Sequence, residues 1–201
     1  MEPERRIKRM KEAGIVFLRG LDEAELSRAE EMVNIRFPAS LREVLRLGLP
    51  VGWGDYPPDL FPRWNDFTAE NVERLRDWIE QPVQWLKRDV DRNGFWADSW
   101  GAKPEDAEKT TARFDEIAAQ APRLIPLFGH RFTVSGTFSD DPPIFSSVGM
   151  DTIRYGSNFD GWIRAELDRD WTGGNKETVP RVPFWDDVVE AYAKASFHRS
   201  V

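Results

Sequence analysis

Leu124-Ile-Pro-Leu-Phe-Gly-His-Arg-Phe-Thr133 is where the chain changes character. Before Pro122 the apolar residues recur at helical spacing. From Leu124 onward they come in short runs of branched and aromatic side chains. Ile144 to Val148 and Thr152 to Tyr155 repeat the pattern, each bounded by Gly, Pro or Asp. Segments joined by such short links belong to one sheet and pair antiparallel.

Upstream, Leu21-Asp-Glu-Ala-Glu-Leu26 opens a helix: Asp22 caps it, Glu25 completes a capping box, and Leu21 and Leu26 form a hydrophobic staple. The period ends near Val33. Ile35 and Phe37 mark an extended link, and Pro38 restarts a helix carrying Leu41, Val44 and Leu45. Residues 49 to 66 read as a long ordered loop. Thr68 caps a helix with Val72, Leu75 and Ile79, which Pro82 is expected to interrupt before Val83, Leu86 and Val90 resume the period. After a loop from Phe95 to Gly101, a further helix spans about Pro104 to Ala121, its inward face being Ala107, Thr111, Phe114, Ile117 and Ala118 (or Ala121). Beyond the strands, Ser157 is placed to cap a helix through Phe159, Trp162 and Ile163, with Asp160 three residues on. Trp171 to Asn175 reads as a turn and Trp185 to Ala195 as a last helix. Helices, then strands, then helices predict an α+β fold in a single domain: N-terminal helices, then a mostly antiparallel sheet flanked by helices.

Composition narrows the function. The chain has 201 residues, long enough for a core without staples, and no cysteine, which excludes disulfides, thiolate nucleophiles and zinc ribbons. Its formal charge of −7 has the wrong sign for direct nucleic-acid binding. No apolar run approaches the ~20 residues that span a bilayer. The run Ile15 to Leu18 is too short for a signal-peptide core, so a cytoplasmic location is expected.

Taken in order, several segments resemble the SUKH superfamily, the Smi/Knr-like domain. Gly20 to Leu26, Ile35-Arg-Phe-Pro38 and Leu41 to Leu45 are similar to its two N-terminal helices. Asn93-Gly-Phe-Trp-Ala-Asp-Ser-Trp-Gly101 and Leu124 to Phe132 resemble segments of a bacterial branch, and Pro143 to Ser147, Ile153 to Gly156 and the helix through Trp162 fit its final strands and helix. Many members carry Asn-Gly-Gly after the second helix, where this chain has Gly48-Leu-Pro-Val-Gly52. The likeness covers residues 14 to 170, leaving 171 to 201 as a C-terminal helical extension packed on the same domain. It implies a mixed fold with no established catalytic centre. Bacterial relatives are commonly immunity proteins that bind and neutralise toxins, and fungal relatives are regulators of cell-wall assembly.

The residues themselves offer few catalytic arrangements. His130 is the best candidate general base, but no serine lies in a nucleophile elbow. The plainer reading makes His130 and Arg131 a structural motif, with the imidazole bridging strand and loop through backbone bonds. His198, near the C-terminus, reads as solvated. A glycosidase would need two of Asp98, Asp140, Asp141, Asp151, Asp160, Asp168 and Asp170 across a cleft, whereas Asp140-Asp141 before Pro142-Pro143 suits a turn. Asp168 to Asn175 lacks a full calcium-loop pattern, so neither a metal nor another cofactor is expected. The basic cluster Arg5-Arg6-Lys8-Arg9-Lys11 is interleaved with Glu2, Glu4 and Glu12 and reads as a solvated helix end.

Nine tryptophans remain. Trp78, Trp162 and Trp185 sit on helical patterns and read as core or near-core. Trp53, Trp64, Trp96 and Trp100 lie in loops, where they either seal the sheet or anchor a partner. Asp98 beside Trp96 and Trp100 would also suit a sugar. The candidate partner-binding residues are therefore Trp53, Tyr56, Trp64, Trp96, Asp98 and Trp100, with the loop from 51 to 66 foremost. The expected function is binding a protein, most simply a toxin domain, without catalysis. A cell-wall regulatory scaffold and a small hydrolase are the alternatives.

Overall fold

The computed structural model describes residues 1–170 and 179–198, except the side chains of Pro58 and of 196–198. The turn expected over Trp171 to Asn175 and the side chain of His198 lie outside the described residues. The fold is α+β. Four strands, β3 (Leu124–Phe128), β4 (Arg131–Val134), β5 (Ile144–Val148) and β6 (Asp151–Gly156), form an antiparallel sheet in chain order. The stretch from Leu124 to Thr133 is not one strand but two, folded back at Gly129 and His130 with Phe128 paired to Arg131.

Both faces of this sheet are covered. Ile125, Leu127 and Ile144 enter one hydrophobic cluster, while Leu124, Phe132, Val134 and Phe145 enter another. The first cluster is filled by α1 (Pro3–Glu12), α2 (Glu23–Val33), α3 (Ala39–Leu47) and α6 (Phe159–Leu167). The second holds Phe114 of α5 (Ala107–Ala118), Trp185 and Val188 of α7 (Trp185–His198), and the 95–100 loop. Phe114 is the only fully shielded member of the inward face expected for α5, which starts at its cap Asp106 rather than near Pro104.

Helix α4 (Ala69–Asn93) crosses from one cluster to the other without a break at Pro82. Its buried positions, Asn71, Leu75, Ile79, Pro82, Leu86 and Val90, form one stripe at steps of three and four. Packing on both sides of the proline outweighs the lost backbone bond. A two-stranded antiparallel sheet, β1 (Ile15–Arg19) with β2 (Gly48–Trp53), replaces the first part of the expected loop.

Charge fastens the outer helices. Asp22 and Glu25 form the capping box as expected. Asn158, not Ser157, caps α6 through the Gly161 amide at 2.9 Å. Asp160 instead accepts Arg6 Nε at 2.7 Å and also bonds the N-terminal amine, and Asp168 bonds Arg9. Two members of the basic cluster thus turn inward, onto α6. No helix among the described residues is long and apolar enough to cross a membrane.

Burial works against charge on Asp160, but Arg6 and the N-terminal ammonium outweigh it and hold the carboxyl below its ordinary 3.8. Its contribution to stability is therefore present above pH 3.8 and fades as the pH falls through the lowered value. Asp160→Asn should flatten the acid limb of stability against pH, read by urea unfolding across that range. Phe145→Ala, at a fully buried position, should cost about 3–5 kcal/mol in the same assay, and Asp22→Ala about 1 kcal/mol.

Candidate functional site

The reversal between β3 and β4 needs a left-handed residue, and Gly129 supplies it with φ +52°. The turn is then clamped from two sides. The Gly129 amide donates to the Leu60 carbonyl at 2.8 Å, and Trp78 Nε1 donates to the Gly129 carbonyl at 3.1 Å. Arg131, the next residue but one, locks the strand below. Its Nε donates to Glu166 at 3.0 Å, its Nη1 to Ser146 Oγ at 2.9 Å, and its guanidinium lies 3.8 Å from the centre of the Tyr155 ring. These contacts tie Arg131 to β5, β6 and α6.

His130 is held on this turn with its side chain exposed. Its carbonyl accepts the Ser147 amide at 3.0 Å. The imidazole, expected to bridge to backbone groups, forms no hydrogen bond among the described residues and lines an open groove instead. Burial, then the neighbouring Arg131 charge, lower its pKa from the ordinary 6.5, so the ring is mainly neutral at pH 7. Among the described residues no carboxylate orients it and no hydroxyl is hydrogen-bonded to it.

The groove has a volume of about 480 Å³. One wall is the outward stripe of α4, made of Arg74, Asp77, Trp78, Gln81 and Trp85 at helical steps of three and four. The other walls are Asp59 and Leu60, the Gly129–His130 turn, and Val148 at the end of β5. Asp89 on α4 fixes that end, accepting the Met150 amide at 2.6 Å beside Gly149, whose φ is +62°. Trp78, expected in or near the core, is half-buried here and packs against both clusters, and Trp85 is half-buried too.

Among the expected anchors, Trp53 and Tyr56 belong to this region. Their rings are 5.2 Å apart and lie 5.4 and 5.7 Å from Phe128, the residue before the turn. Tyr56 is 54% exposed, whereas Trp53 is half-buried and donates to the Ala13 carbonyl at 2.8 Å. Trp64 and Trp100 are corrections. Trp64 is 2% exposed and meets Phe37 edge-on at 5.0 Å, so it seals the core. Trp100 is buried with its ring stacked on Phe184 at 5.4 Å. Both loops close over large clusters that draw a ring inward, so neither tryptophan can anchor a partner. Trp96 packs edge-on against Trp100, with Nε1 on the Gly101 carbonyl at 2.8 Å, and exposed Asp98 pairs with Lys194 at 2.8 Å. These two belong to the second cluster's surface, apart from the groove.

The other carboxylates serve structure. Asp141 accepts the Phe159 amide at 3.1 Å and lies 3.4 Å from Arg6, while the Asp140 carbonyl accepts the Ser40 amide at 2.9 Å. Among the described residues no three His, Asp or Glu side chains gather to hold a metal ion. Sequence reasoning missed Asp59, Arg74, Gln81 and Trp85 as groove residues. The signal was present in a second helical stripe, 74-78-81-85, beside the apolar one. No family model, curated protein or solved structure matches this chain.

Proposed function

We propose that this is a non-catalytic protein-binding domain of SUKH-like type that acts in the cytoplasm as an immunity protein, docking a toxin domain along the groove between α4, the Asp59–Leu60 segment and the His130 turn. The observation that carries the reading is the groove's lining, two half-buried indoles and an exposed valine with charged groups among them, beside the exposed ring of Tyr56. Aromatic anchors in a partly apolar depression are what dominate interface energetics, and their charged surroundings suit a polar rim. The formal charge of −7 adds steering toward a basic partner. A cell-wall regulatory scaffold would use the same surface; finding a toxin gene immediately upstream would separate immunity from it.

One observation favours a hydrolase as second reading: the imidazole of His130 opens onto a cavity. That reading requires turnover of a small substrate that disappears in His130→Ala.

Co-expression with the product of the adjacent reading frame should give a stable complex in which the toxin is inactive. Tyr56→Ala should raise the dissociation rate by roughly tenfold, and the association rate should fall as salt is raised. A complex that does not inhibit, or an association rate indifferent to salt, contradicts the proposal.

A further inference from the structure

The charges around the groove select among partner segments. Asp59 and Asp77 line it, and no ion pair among the described residues uses either carboxylate. Trp78 and Trp85, seven residues apart on α4, present half-buried indoles to the same space. Indole faces attract cations, and more so where water is partly excluded. Two carboxylates against the one guanidinium of Arg74 leave the lining net negative, and neutral His130 adds no fixed positive charge at pH 7.

Arg74 has its own requirement. Its guanidinium forms no hydrogen bond or ion pair among the described residues, and Nη2 is shut off from solvent. Its other guanidinium N–H groups are open to water and equally unpaired, so an acceptor brought along the groove by a ligand can reach them. An extended peptide lying along α4 brings carbonyl oxygens for Arg74, which a free cation does not.

We infer that the groove takes an extended peptide segment carrying an arginine or lysine, the cationic head lying over Trp78 and Trp85 against Asp59 and Asp77 while main-chain carbonyls face Arg74. This deepens the docking role proposed above and rests on it. It names the partner's contribution: a basic side chain on an exposed strand or loop.

The test uses the full chain, labelled with ¹⁵N, and three blocked peptides, Ac-Ala-Ala-Xaa-Ala-Ala-amide, with Xaa as Arg, Glu or Leu. The arginine peptide should shift the indole N–H resonances of Trp78 and Trp85 in a saturable way that weakens with salt. The glutamate peptide should not bind. Asp59→Asn with Asp77→Asn should weaken the arginine peptide about tenfold, and the same spectra report whether that variant is folded. N-acetylarginine amide, which keeps only the acetyl and its own carboxamide carbonyl, should bind more weakly than the arginine peptide. Equal binding of the three peptides, no effect of the double substitution, or no indole shift from the arginine peptide overturns the inference. If inhibition of the co-expressed toxin persists in any of those outcomes, only the charge selection fails. Failure of the unaltered chain to inhibit the toxin removes the docking role itself.

Discussion

Ile144 and Phe145 are neighbours on one strand, and both are fully buried because they enter opposite hydrophobic clusters. A sheet covered on both faces does not show the alternation of a half-exposed one, and its strand β3 reads as an unbroken apolar run. Everything else is arranged to supply the two covers. The N-terminal helices and α6 form one, α5 and α7 form the other, and α4 is long enough to contribute to both. A helix that crosses between covers keeps a second stripe outside them. The groove is that stripe meeting the β3–β4 turn, so the site follows from how the sheet is shielded.

Much of this was legible in the residues. Asp22 with Glu25, the strands from Leu124 onward, and the buried faces of α3 and α6 follow from capping and periodicity alone. Three features were not. Pro82 signals a break by its chemistry, yet the apolar stripe stays in phase across it, and tertiary packing decides. Strand β2 contains Gly48, Pro50 and Gly52, residues that weaken a strand reading. Pro50 is tolerated opposite Phe17, beside the register shift of an edge pairing. Helix α1 is dominated by charge, and only Pro3 at its start with Ile7 and Met10 betrays the buried face.

The site was half legible. The 51–66 loop does reach it, through Asp59 and Leu60, while Tyr56 packs on Phe128 next to the turn and Trp64 beneath that loop serves the core. Ring type and loop position cannot tell a surface anchor from a seal, because the same burial energy favours both. What separates them is whether a large cluster lies under the loop, a property of the assembled chain. The charges behaved similarly. Asp141, Asp160 and Asp168, which sequence offers as catalytic candidates, are used to hold α1 and α6, while Asp59 and Asp77 are left facing the groove.

Amide hydrogen exchange on the free protein and on its complex with the adjacent gene's product tests the groove most directly. Protection should rise in residues 55–61, along 74–85 and across 128–131, and little elsewhere. Protection confined to the 95–101 loop and α7, with the α4 groove exchanging as in the free protein, would contradict it.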